Sequence, residues 1–200
     1  LAMNEGDQAS LCLNGKNLKG SNVRPLYFKG ELSLCDCEYT DETAGEETVR
    51  SYKGSTTSTV KSHAHIFYAR SGGVFYFYGG NLIGHAVGSS FTSNSGTGTV
   101  GGQMYMYGGV IRDGDCSANG KSGGNIRVDG VFEMYGGTIS GGKAKEGGNL
   151  AIASAASVKL FGGTVEAGEA TSGGNIAAFG QLIVTENALV RDGVSTGSTG

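Results

Sequence analysis

One motif constrains this chain more than any other. An alternating apolar pair is followed by an aromatic residue and two glycines. Phe75 and Phe77 precede Tyr78-Gly79-Gly80, Met104 and Met106 precede Tyr107-Gly108-Gly109, Phe132 and Met134 precede Tyr135-Gly136-Gly137, and Val158 and Leu160 precede Phe161-Gly162-Gly163. Degenerate copies flank these: Leu11/Leu13 before Asn14-Gly15, Leu32/Leu34 before Cys35-Asp36-Cys37, and Leu182/Val184 before Thr185. The closing apolar residues of the seven copies stand 21, 43, 29, 28, 26 and 24 residues apart. A drifting period in the twenties marks a solenoid whose strands keep register while its loops change length.

Two further ladders run with the first. Leu82, Ile111, Ile139, Val165 and Leu189 follow the glycine pairs. Ile126/Val128, Leu150/Ile152 and Ile176/Ala178 follow a Gly-Gly-Asn motif, with Ile66/Tyr68 and Phe91 as weaker N-terminal members. Glycine makes up 38 of the 200 residues, with a single proline, Pro25, so no long helical stripe survives. Three short strands per turn, stacked on their counterparts, predict an all-β, single-stranded right-handed parallel β-helix of about seven turns. Asn125, Asn149 and Asn175 fall at one corner of successive turns and predict a structural asparagine ladder, with His65 and Ser90 at that corner in earlier turns. The chain reads as one domain over residues 1–200, cropped from a longer protein. Residues 38–62 are expected to form an inserted polar loop, with a short hairpin or an irregular rung as options. A Ser/Thr/Gly tail is expected over 194–200.

A formal charge of −3 and a pI near 5.6 disfavour nucleic acid and anionic membrane as partners. No apolar run is long enough to span a membrane. Four cysteines fit neither a dense disulfide framework nor a zinc ribbon. Cys12 and Cys35 are expected to be structural, and the four cysteines either form one disulfide in the N-terminal part or stay buried thiols. His63 and His65 share a strand face, but no third ligand accompanies them, and no metal or cofactor is expected.

The stretches SGGVFYFYGGNLIG, GGQMYMYGGVIRDG, DGVFEMYGGTISGG and ASVKLFGGTVEAG, with LCLNGKNLKG and LSLCDC before them, resemble repeat regions of large secreted or wall-attached proteins of Gram-positive gut bacteria. Those regions belong to the pectate-lyase-like superfamily of β-helices. The resemblance covers residues 11 to about 193. It implies an extracellular, surface-exposed, adhesive array.

Enzymes on such folds stack carboxylates on neighbouring rungs, and the sequence offers no such stack. Arg127 and Asp129 are followed one turn on by Ala151 and Ala153. Glu133 falls between Tyr105 and Lys159, which predicts a salt bridge. No catalytic residue is expected. The candidate binding surface is aromatic. If Phe75/Phe77, Met104/Met106 and Phe132/Met134 point inward, then Tyr76, Tyr78, Tyr105, Tyr107 and Tyr135 point outward, and Phe161 extends the column. That column is expected to contact glycan or a cell-surface protein. The function expected is therefore a non-catalytic structural or adhesive module. Two other readings stay open: a polysaccharide-active enzyme or its inactive descendant, and a subunit that assembles with itself through open β-helix ends.

Overall fold

A computed structural model describes residues 1–20, 24–44, 47–58, 66–86 and 95–197. The chain is a parallel β-helix built from three seven-stranded sheets. The first sheet stacks Ala2–Met3, Leu26–Phe28, Phe67–Ala69, Gly98–Val100, Ile126–Val128, Leu150–Ile152 and Ile176–Ala178. The second stacks Gln8–Cys12, Glu31–Cys35, Val74–Phe77, Gln103–Met106, Val131–Met134, Ser157–Leu160 and Gln181–Val184. The third stacks Asn17–Gly20, Ser55–Ser58, Asn81–Ile83, Val110–Arg112, Thr138–Ser140, Gly163–Glu166 and Ala188–Arg191. The helical content among the described residues is one 3-10 turn, Ser117–Asn119.

The inward columns are those the alternation predicts. Phe75 pairs in register with Leu32 and Met104, and Met104 with Phe132; Phe77, Met106, Met134 and Leu160 form the parallel column. These side chains are fully or almost fully buried. Each contributes roughly 1.5–3 kcal/mol relative to exposure. Volume is traded between turns. Gly98 lies over Phe67, and a Cβ at Gly98 would sit 2.0 Å from the Phe67 ring. The second glycine of each triplet turns the corner: Gly80, Gly109, Gly137 and Gly163 have φ of +103°, +86°, +89° and +83°. That region excludes most side chains, which is why the triplet recurs.

The asparagine ladder is present and fully buried at two of its three steps. Asn125 Nδ2 donates to Asn149 Oδ1 at 2.7 Å, and Asn149 Nδ2 donates to Asn175 Oδ1 at 2.8 Å. The remaining amide hydrogens go to the carbonyls of Ser140, Glu166 and Arg191. The Oδ1 atoms also accept from the backbone of Gly114, Gly142 and Gly168. Thus each buried amide bonds a corner carbonyl and a corner N–H, and Asn125 and Asn149 also join the next turn.

Several expected placements shift. Leu11, not Leu13, pairs with Leu34; Leu13 is buried in the corner beyond the strand. Val190, not Leu189, pairs with Val165, because the last corner is one residue longer. Phe67 and Ala69 point inward where Ile66 and Tyr68 were expected, although Ile66 is buried at the preceding corner. The corner expected to hold His65 and Ser90 is held by Ile66 and Thr97, whose backbone bonds repeat those of Asn125. His63, His65, Ser90 and Phe91 themselves lie outside the described residues. The 38–62 segment is not bare loop, and the short hairpin named as an option for it is present. Tyr39–Ala44 and Glu47–Tyr52 form an antiparallel hairpin, whereas Ser55–Ser58 is a strand of the third sheet with Thr56 fully buried. Nor do residues 194–200 begin as a tail, since Val194–Ser195 pairs with Glu169–Ala170.

Candidate binding surface

The outward face of the second sheet carries the aromatic residues the alternation predicts, and the structure brings all six together. Tyr78, Tyr107 and Tyr135 are 49, 44 and 44 % exposed, and Phe161 is half-buried at the end of their file. Ring centroids stand 5.0 Å apart for Tyr78–Tyr107, 5.1 Å for Tyr107–Tyr135 and 5.1 Å for Tyr135–Phe161. The corresponding planes differ by 10°, 9° and 21°. Tyr76 and Tyr105 form a shorter, half-buried file beside it, 5.4 Å apart. In-register stacking sets this spacing, because successive turns approach one another at the strand repeat.

The geometry changes what the column offers. Near-parallel rings this close must overlap face to face, since coplanar neighbours would stand farther apart. The ring faces therefore serve one another, and solvent meets ring edges and phenol hydroxyls. A continuous flat platform for sugar rings is not what the column presents.

The file is electrostatically pinned. The Tyr135 hydroxyl donates to Glu133 Oε2 at 2.6 Å, and Lys159 Nζ donates to Glu133 Oε1 at 3.0 Å. The Tyr135 hydroxyl bond, followed by Lys159, holds the Glu133 carboxyl below its usual range. The same carboxylate pushes the Tyr135 phenol up to about 12. Burial, with Glu31 and the neighbouring tyrosines, raises Tyr76.

Sequence reasoning missed the wall beside this file. The hairpin stands next to the corner that follows the second sheet, and between them lies a groove of about 380 Å³. Its floor is bare backbone at Gly108, Gly109 and Gly137, with Tyr107, Thr138 and Thr164 also lining it. Its wall is Asp41, Arg50 and Tyr52. Tyr52 leans over the floor: a Cβ at Gly108 would meet its hydroxyl at 3.0 Å. Arg50 binds Asp41 through two bonds of 2.7 Å and lies 3.9 Å above the Tyr39 ring. The bidentate Arg50 holds Asp41 below the usual carboxylate range. The wall thus presents a bidentate guanidinium–carboxylate plane beside an aromatic residue, a combination that suits an amphipathic ligand. The signal in the sequence was the acidic run from Asp36 to Glu47. It gives no hint that the segment folds back onto Gly108.

Asp129 and Glu133 meet bases rather than one another. Arg127 pairs with Asp129 at 2.8 Å, and Ala151 and Ala177 follow Arg127 in register. Asp113 and Asp192 sit at a corner with φ of +62° and +56°, shared with Gly141 and Ala167 at +66° and +53°. Their recurrence is accounted for by backbone conformation, which aspartate tolerates better than most residues.

Of the cysteines expected to be structural, Cys12 forms a disulfide with Cys37, with Cα atoms 6.6 Å apart. Cys35 is a free, half-buried thiol, and Cys116 is a buried one. Register alone favours Cys35, the direct neighbour of Cys12 on the adjacent strand. Cys37 lies past the strand end, where the chain bends back toward Cys12.

No helix among the described residues is long and apolar enough to cross a membrane. Comparison with family models, curated proteins and solved structures finds no match, so the β-solenoid architecture and this surface are what the chain itself offers as clues to function.

Proposed function

We propose that this chain is a non-catalytic structural and adhesive module of an extracellular bacterial surface protein. It contacts glycan or a cell-surface protein along the aromatic file and the hairpin groove. The observation that carries the reading is the exposure of Tyr78, Tyr107 and Tyr135 in one outward file beside a polar groove of ligand size. A fold needs an inward column to be stable. It does not need three exposed tyrosines next to a walled groove. The resemblance to pectate-lyase-like repeat regions of secreted and wall-attached proteins supports the extracellular location, and the Cys12–Cys37 disulfide is compatible with an oxidising compartment. The pairing of Glu133, Asp129 and Glu166 with Lys159, Arg127 and Arg191 favours a scaffold over an acid–base pair.

A glycan and mucin binding screen tests the proposal. Wild-type protein should bind a subset of ligands, and Tyr107→Ala and Tyr135→Ala should weaken that binding. Binding that neither substitution changes would remove the surface from consideration.

A further inference from the structure

The outward file does not begin with Tyr78. The backbone bond from Tyr78 to Leu34 repeats those from Tyr107 to Phe77 and from Tyr135 to Met106. Cys35 therefore occupies the same outward position one turn before Tyr78, and Cys12, its register partner, occupies it one turn earlier still. Cys37 reaches this end of the file from the following corner. The three sulfurs lie within 4.8 Å of one another. A d10 cation bound by three thiolates at ~2.3 Å requires sulfurs about 4 Å apart, so small side-chain rotations suffice.

The surrounding backbone is held independently of the S–S bond. Asp36, between the two cysteines of the Cys-x-Cys segment, is 5 % exposed. Its carboxylate accepts from the backbone of Gly15 at 2.8 Å, Gly54 at 2.5 Å and Glu38 at 3.3 Å. Those bonds tie the corner after Cys12 to the corner holding Cys37. Breaking the disulfide leaves them in place. Cys12 and Cys37 are exposed and Cys35 is half-buried, so an ion has access from solvent.

We propose that Cys12, Cys35 and Cys37, once reduced, form a trithiolate site for a soft divalent d10 cation such as Zn²⁺ or Cd²⁺. The disulfide is the closed form of the site. A phosphine reductant breaks the Cys12–Cys37 bond; both sulfurs leave as thiols with protons from water, and the phosphine becomes its oxide. The cation then displaces three thiol protons, forms three metal–sulfur bonds and keeps a water at its fourth position. Cys116 takes no part, because burial pushes its thiol up to about 12 and it lies on a different part of the helix.

The experiment is a Cd²⁺ titration of the full chain after phosphine reduction, read by the ultraviolet thiolate-to-cadmium charge-transfer band. Far-ultraviolet circular dichroism checks that the β-structure persists. The band should saturate at one ion per chain, and unreduced protein should give none. Cys35→Ser should weaken binding at least tenfold while leaving the Cys12–Cys37 disulfide able to form. The proposal is overturned by the absence of a band from reduced protein, by loss of β-structure on reduction, by equal binding in the unreduced form, or by a Cys35→Ser protein that binds as tightly as wild type.

Discussion

Tyr107 stacks on Tyr135 with centroids 5.1 Å apart and planes within 9° of parallel, and the Tyr135 hydroxyl is bonded to Glu133. One outward position, repeated turn by turn, has thus become a rigid aromatic file with a fixed charge at its side. Its rigidity matters for recognition. Side chains already held in one arrangement lose little freedom when a partner binds them.

The Glu133–Tyr135 bond gives the file a pH signature. The Tyr135 phenol is raised to about 12, so its contribution to stability is intact below the ordinary tyrosine range and lost as pH rises through about 12. Glu133 is lowered, so its contribution is intact above the ordinary glutamate range and lost as pH falls through the lowered value. Glu133→Gln should bring Tyr135 back toward ~10. Alkaline ultraviolet titration of the variant against wild type should show one tyrosine ionising earlier. Coincident curves would mean that the bond does not persist in solution.

Asn149 is the centre of the corner ladder, bonded to Asn125, Asn175, Gly142 and the Glu166 carbonyl. Asn149→Ala strands several buried polar groups at once and should cost roughly 2–4 kcal/mol. Denaturant unfolding measures this. A loss below ~1 kcal/mol would show that water replaces the amide without penalty.

Ala167 occupies a left-handed corner with φ of +53°, where the preceding turn has Gly141. A non-glycine residue there is strained by roughly 1–2 kcal/mol. Ala167→Gly should therefore raise stability by about 0.5–1 kcal/mol after the entropy that glycine adds to the unfolded chain. A thermal melt below that of wild type would contradict this.

How far the sequence led depends on the residue. Phe132, Met134 and Asn149 were legible because neighbouring turns repeat both the residue type and the glycine corner beside it. Register failed where that punctuation is missing. No Gly-Gly-Asn precedes Phe67 to mark the strand, so the alternation pointed to Ile66/Tyr68, whereas Phe67 packs over Gly98 in the core. At the last corner Glu186-Asn187 replaces the glycine pair and adds a residue, which moved Leu189 out of the core position. The disulfide turned on where the chain bends after the strand, a property of Asp36 and its three backbone donors rather than of cysteine spacing. The groove was least legible. Arg50 and Gly108 line one groove only because the hairpin folds back beside turns that come much later in the chain.

The most direct test is binding to a mucin-coated surface, comparing wild type with Tyr107→Ala and Tyr68→Ala. Tyr68 pairs with Tyr27 and carries Arg24 on the outer side of the first sheet, so it is an aromatic position remote from the groove. Loss of a buried aromatic contact of about 1.4 kcal/mol weakens binding tenfold. The account predicts at least that loss for Tyr107→Ala and none for Tyr68→Ala. Binding lost with Tyr68→Ala and unchanged by Tyr107→Ala would place the contact on the first sheet and contradict it.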